Sequence, residues 1–463
     1  MTVLSLKSLE RRLLMTSGVF IILLIPLVGA SVGGSGFRYS LWFELLCLGV
    51  YLSVRAVRSV HLWSVRRDVL SPLAALPFAY IVWYTLGSID WIEVPSTWLF
   101  GLFDPIPARM WLYYLLGLGG YILGVVLVRR PAERSACMPA WTWRPARARG
   151  VLIGLFLLMT SCWIALVSQF GIPGLNSAAS EARLSVHGPF YFLFVLSGWT
   201  LFILTPLHYW SSKAQGSPIW MGLVLLVTSV LLASLAGRSN IFVPLLTALI
   251  VRHYVKTRLN LRSAFIFILV IFLGLSLFGY VRDTSESDRA LLWMELAGVP
   301  KPLIPAATAA VYVRYSVATF RDVTEMIPEH VPFQHGALTF APFKTFLPGR
   351  QEMSDIFFRN MLGNDFVGVG QPATLLGPLY ADFGAPGIFL GMMMFGALLA
   401  FSFRRMRAAP TPFQILIYAW ILQSGLFGLF ATMFPYITTV TLPLLWWVLD
   451  RFLRVSAVTE EIG

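Results

Sequence analysis

Charge is scarce in this sequence: only 12% of its 463 residues are Asp, Glu, Lys or Arg, while 57% are hydrophobic. A chain with that balance cannot hide its apolar surface in an aqueous core, which excludes an ordinary soluble protein and points to a polytopic membrane protein. Cysteine is almost absent. Of the 3 present, Cys47 and Cys162 fall in hydrophobic runs and Cys137 in a basic connection. No extracytoplasmic pair is available for a disulfide, and no Cys/His spacing suits a metal. Internal repeats and low-complexity tracts are missing too, which argues against the repeat-built transporters. Acidic residues number 22 against 35 Lys plus Arg, a net charge of +13. The excess is dispersed over short connections rather than gathered in a patch. That excludes nucleic acid as a partner and favours membrane lipids with anionic headgroups, and phosphate.

What the chain has is hydrophobic runs. Stretches long enough to cross a bilayer recur at 13–30, 39–57, 69–89, 109–128, 150–170 and 189–209, then at 218–235, 240–256, 263–281, 384–403, 411–431 and 434–451. The expected fold is therefore all-α, with about 12 transmembrane helices. Residues 1–281 form helices 1–9, residues 282–376 a large extracytoplasmic lid, and residues 377–463 helices 10–12. The first run follows Lys7, Arg11 and Arg12 like a signal peptide, but no small-residue cleavage site follows it, so it reads as a retained helix.

Orientation follows from Lys and Arg, which short cytoplasmic connections retain. With the N-terminus inside, the cytoplasmic segments collect Arg55 to Arg67, Arg129 to Arg149, Arg252 to Arg262, Arg404 to Arg407, and Arg451 with Arg454. The short loops on the other side hold only Arg38, Arg109, Arg183 and Arg238. Both termini are expected in the cytoplasm.

The lid carries the remaining cations, among them Arg282, Arg314, Arg321 and Arg350. Over 306–327, Val313, Val317, Phe320 and Ile327 recur at helical spacing with Arg314 and Arg321 on a neighbouring stripe. This predicts an amphipathic helix that lies along the membrane surface or packs under a loop cap. Seven phenylalanines from Phe333 to Phe366, interleaved with prolines, predict a folded lid with its own small core. Guanidinium forks match phosphate oxygens and aromatic faces stack on sugars, so the mixture suits an anionic, lipid-carried carbohydrate. The competing reading pairs these arginines with nearby acids such as Asp322 and Glu325 as solvated salt bridges.

Other positions each carry two readings. Arg238, in AGRSN, is an interfacial cation that pairs, faces a wet cavity or snorkels. Arg282 is a ligand or an anchor at the end of a span. His335, in QHG, is a proton-transfer group, a phosphate donor or a plain loop residue. Asp382, in YADFG, is a cap for the tenth helix or a catalytic base.

From Gly336 to Gly396 the motifs GALTF, FLPGR and TLLGPLYADFGAPGIFLGMMMFG resemble the signature region of Wzy-type O-antigen and oligosaccharide repeat-unit polymerases. Gly377, Tyr380, Asp382, Phe383, Gly384 and Gly387 fit a G-x-x-Y-x-D-F-G-x-x-G return into the membrane followed by a glycine-spaced helix. GIPGLNSAASEAR, ending at Arg183, and AGRSN, around Arg238, resemble the family's upstream extracytoplasmic turns. The resemblance implies a GT-C-like integral glycosyltransferase of the bacterial inner membrane. Its substrates are undecaprenyl-diphosphate-linked oligosaccharides at the periplasmic face, and a co-polymerase sets chain length. It implies no cofactor and no metal: Arg183, Arg238, Arg282, Arg314, Arg321 and Arg350, with Tyr380, hold diphosphate and glycan, and His335 or Asp382 is the base. The alternatives are an O-antigen ligase, which passes glycan to lipid A-core, and a lipid-linked oligosaccharide flippase or other transporter.

Overall fold

A computed structural model describes residues 68–88, 106–128, 143–173, 186–211, 218–235, 237–256, 258–259, 304–344, 354–362, 371–431 and 437–454. Among these residues the secondary structure is helical, apart from one bridge between Trp143 and Arg454. The helices are α1 (Ala75–Ser88), α2 (Ala108–Leu127), α3 (Pro145–Phe170), α4 (Pro189–Ser211), α5 (Pro218–Ser234) and α6 (Arg238–Val255). They continue with α7 (Ile304–Met326), α8 (Ala341–Lys344), α9 (Ser354–Met361), α10 (Leu376–Ala408), α11 (Pro412–Gly428) and α12 (Thr438–Leu453). Helices stand at nine of the predicted span positions; the runs at 13–30, 39–57 and 263–281 lie outside the described residues.

Local chemistry sets several boundaries. Pro145 and Pro412 occupy the first turns of α3 and α11, where a missing N–H costs nothing, and the Thr411 hydroxyl caps α11 by accepting from the Gln414 N–H. Gly171 ends α3 with a positive φ of 71°. Among the described residues four helices, α2, α3, α4 and α10, are long and apolar enough to cross a membrane. The apolar helices α5 and α6 are shorter: 17 residues reach about 26 Å, slightly less than a bilayer's hydrocarbon core.

The most extensive pairing is α2 with α10. Gly120 and Gly124 of α2 face the carbonyls of Phe389 and Met393, and Gly396 faces the carbonyl of Tyr121; a Cβ at any of the three would collide with backbone. This is close packing through small residues, as expected between helices in a membrane. α4 packs against α3, α5 and α6, while α11 joins α6, α10 and α12. Trp199, Trp420 and Trp446 line the seam, with neighbouring rings 5.9 and 5.8 Å apart.

Several helix ends that carry Lys and Arg contact one another. The Arg144 N–H donates to Leu453 O at 2.9 Å, the Trp143 indole to Asp450 at 3.0 Å, and Arg404 to Val128 O at 3.2 Å. At the same end Asp68 is buried, accepting from the Leu70 N–H, the Tyr254 hydroxyl and His253 Nε2, the last at 3.1 Å. His253 Nδ1 accepts the Leu259 N–H at 2.9 Å, which leaves Nε2 as the protonated nitrogen facing Asp68. The opposite end holds the exposed pair Arg109–Glu325, 3.1 Å apart.

Two expectations need correction. From Val313 onward α7 does not lie on a surface. Arg314, Ser316, Thr319, Arg321 and Thr324 are buried along with Val317, Phe320 and Val323, because α7 is wedged against α1 and α10 and its polar stripe finds partners inside the protein. Nor do the described lid aromatics form a core of their own. Phe358 is buried in the main core, with Phe333 and Phe357 packed against it, whereas Phe340 and Phe343 are exposed.

Candidate active site

The wedge begins with a residue that lacks a side chain. Gly87, in the last turn of α1, leaves room for the Val317 side chain and the Val313 carbonyl to press close. The Trp83 indole anchors the contact on the Ser316 hydroxyl at 3.2 Å. In this position Arg314, 1% exposed, sends Nη1 to Gly87 O at 2.9 Å. The last carbonyls of a helix lack intrahelical donors and form the negative end of its dipole, so a buried guanidinium is well placed there.

Arg321, two turns further along α7, is also buried and holds Asp322 at 2.7 Å. The predicted ion pairing is thus real at this residue, but the guanidinium is inside the protein rather than solvated. Both arginines lie within electrostatic reach of the Tyr114 hydroxyl. Tyr114 stacks on Tyr84 at 4.4 Å and meets Trp111 edge-on at 5.3 Å. Tyrosine and tryptophan thus pack close to two buried cations, where low polarizability strengthens any charge interaction.

The second half of the site comes from α10, which starts at Leu376 and breaks at Gly384, φ 66°. The tenth span therefore becomes helical well before 384, and Asp382 sits inside its first segment. Tyr380 donates to Ile327 O at 3.2 Å and places its ring 5.1 Å from Tyr113, 6.2 Å from Phe320 and 6.4 Å from Phe333. It thereby joins α2, α7 and the turn that follows α7.

Asp382 is fully buried, and it does not cap its own helix. Its carboxylate accepts the N–H of Leu338 at 3.2 Å and of Thr339 at 2.6 Å. The backbone carbonyls of Ala381 and Asp382 accept the N–H groups of Gln334, at 2.9 Å, and His335, at 3.2 Å. His335 itself is exposed and has the left-handed φ of 48°, followed by Gly336 at 90°.

Of the sequence-predicted residues, His335, Tyr380 and Asp382 stand together, and Tyr380 reaches α7, which carries Arg314 and Arg321, through Phe320 and Ile327. Arg238 heads α6. Arg183, Arg282 and Arg350 lie outside the described residues. Sequence reasoning missed Tyr84, Tyr113 and Tyr114, because tyrosines near span ends read equally well as an interfacial belt. Gly87 was also missed, since nothing local marks it as a crossing point. Among the described residues no group of three or more His, Cys, Asp or Glu could hold a metal ion.

Apolar membrane-length helices packed through glycines, with arginines and tyrosines buried among them, define an all-helical, multi-pass membrane protein. Residues 81–430 match the family described as "Putative O-antigen polymerase". The chain belongs to this O-antigen polymerase family, whose members join repeat units into O-antigen. No curated protein and no solved structure matches it.

Proposed function

We propose that this chain polymerises undecaprenyl-diphosphate-linked oligosaccharide repeat units at the periplasmic face of the inner membrane. The growing glycan moves from its lipid diphosphate to the non-reducing-end sugar of a newly arrived unit. The bond from the anomeric carbon to the diphosphate oxygen breaks, and the acceptor hydroxyl oxygen bonds to that carbon. The hydroxyl proton passes to the His335 imidazole, and undecaprenyl diphosphate leaves with the electron pair. The observation that carries this reading is the pair of buried guanidiniums, Arg314 and Arg321, set among Tyr114, Tyr84 and Phe320. Negative charge develops on the leaving diphosphate, and preorganised cations in a water-poor site stabilise it without a metal. Arg183, Arg238, Arg282 and Arg350 are proposed to complete the diphosphate and glycan contacts. Tyr380 supplies an aromatic wall for sugar, and a separate co-polymerase sets the chain length.

Deletion of the gene and inspection of the lipopolysaccharide test the reading. The expected product is lipid A-core bearing single repeat units, with the full ladder restored by the wild-type chain. Arg314→Ala and Arg321→Ala, each checked for normal membrane level, are expected to leave single units. A ladder that survives in both variants contradicts the assignment of the arginines. A deletion strain with no O-antigen at all contradicts polymerisation and favours ligase or flippase.

A further inference from the structure

The turn that carries His335 is held from outside itself, by a motif whose role the transfer reaction leaves unexplained. Pro386 has no N–H, so the carbonyl of Asp382, four residues earlier, is denied its helical donor. Gly384, in a conformation that disfavours any side chain, interrupts the helix at the same place, and Phe333 packs on it where a Cβ would project. The donors that arrive are the backbone N–H groups of Gln334 and His335 on the carbonyls, and those of Leu338 and Thr339 on the Asp382 carboxylate. Four hydrogen bonds from one side of a turn to three consecutive functional groups of a buried helix leave that turn little freedom.

We infer that Asp382 is a positioning residue: its carboxylate, with the break at Gly384 and Pro386, clasps the 334–339 turn and fixes where His335 stands relative to the arginines of α7. This rests on the polymerase reading with His335 as base. Tyr380 and Asp382 lie two residues apart on one short helical segment. Tyr380 faces Tyr113 and Phe320, the arginine side; Asp382 grips the histidine turn. The segment therefore registers the acceptor side of the reaction against the donor side. Both carboxylate oxygens are already occupied by backbone donors, which suits an anchor and leaves the proton transfer to His335.

The test uses the full chain purified in detergent, undecaprenyl-diphosphate-linked repeat units as substrate, and three variants: Asp382→Asn, Thr339→Pro and His335→Ala. Thr339→Pro removes one clasping N–H without touching the carboxylate, so it judges the inference even where Asp382→Asn fails to fold. In both clasp variants, backbone amides of 334–339 are expected to exchange with solvent faster. Turnover per folded molecule is expected to fall about tenfold or more, with KM within about twofold, since loss of positioning acts on the chemical step. A merely structural residue would lower the folded fraction and leave turnover per folded molecule unchanged, and that result overturns the inference. So does a loss confined to Asp382→Asn, which would make the carboxylate the reacting group. Full turnover in His335→Ala instead overturns the role of the histidine, while amide exchange still judges the clasp.

Discussion

The buried guanidinium of Arg314 donates to the carbonyl oxygen of Gly87 at 2.9 Å, tying the middle of α7 to the end of α1. One side chain thus serves the fold and the proposed chemistry together, and the two contributions separate on substitution. Arg314→Lys keeps a cation but loses the fork that can hold a carbonyl and a phosphate at once. It is expected to accumulate in the membrane near the wild-type level yet give a shortened or faint ladder. Arg314→Ala also loses a charge-assisted hydrogen bond, at a cost of about 1.5–3 kcal/mol, and its thermal midpoint is expected to fall. Ladder gels and fluorescence-monitored unfolding read the two effects.

Arg321 has an acidic neighbour, so Asp322 offers a complementary change. Asp322→Asn removes the acid beside the guanidinium and keeps the cation itself. It is expected to retain polymer formation where Arg321→Ala abolishes it. Equal loss in both would mean that Arg321 acts through the ion pair alone.

The glycines between α2 and α10 make a packing prediction independent of the chemistry. Gly124→Leu sets a large side chain against the Met393 carbonyl and is expected to cost about 1–3 kcal/mol or to block accumulation of folded protein. Gly119→Leu, one turn away on an open face of α2, is expected to be neutral. Detergent-resistant unfolding midpoints of the two variants make the comparison, and similar losses in both would contradict the pairing.

At the other end of the bundle, Asp68 and His253 form a buried pair with no part in the proposed transfer. His253→Ala removes one donor from a buried carboxylate that keeps the Leu70 N–H and the Tyr254 hydroxyl, at a cost of about 1.5–3 kcal/mol. The expected outcome is a lower unfolding midpoint with unchanged polymer length from whatever protein remains folded. A selective change in polymer length would instead connect this cluster to the reaction.

How far the sequence went depended on the range of the physics involved. Spans such as α2, α3 and α4 were legible because a bilayer-length apolar run is a local property. α7 misled because Arg314, Ser316, Thr319 and Arg321 look like a water-facing stripe; periodicity cannot tell water from the carbonyls and tyrosines of neighbouring helices. Of the two readings of Asp382, the helix cap fails for a similar reason. An Asp near the start of a span fits an N-cap locally, yet the donors it accepts come from Leu338 and Thr339, 44 and 43 residues earlier. The absent N–H of Pro386 was visible in the sequence, but the segment that would satisfy the orphaned carbonyl was not.

The central claim is that this chain alone joins lipid-linked repeat units, with the buried arginines of α7 supporting departure of the diphosphate. The most direct measurement reconstitutes the purified chain in liposomes with undecaprenyl-diphosphate-linked repeat units and resolves the products on a gel. The account predicts a ladder of polymer on undecaprenyl diphosphate from the wild type and none from the Arg314→Ala, Arg321→Ala double variant. Unpolymerised units from a folded wild-type chain, or transfer only when lipid A-core is added, would contradict it.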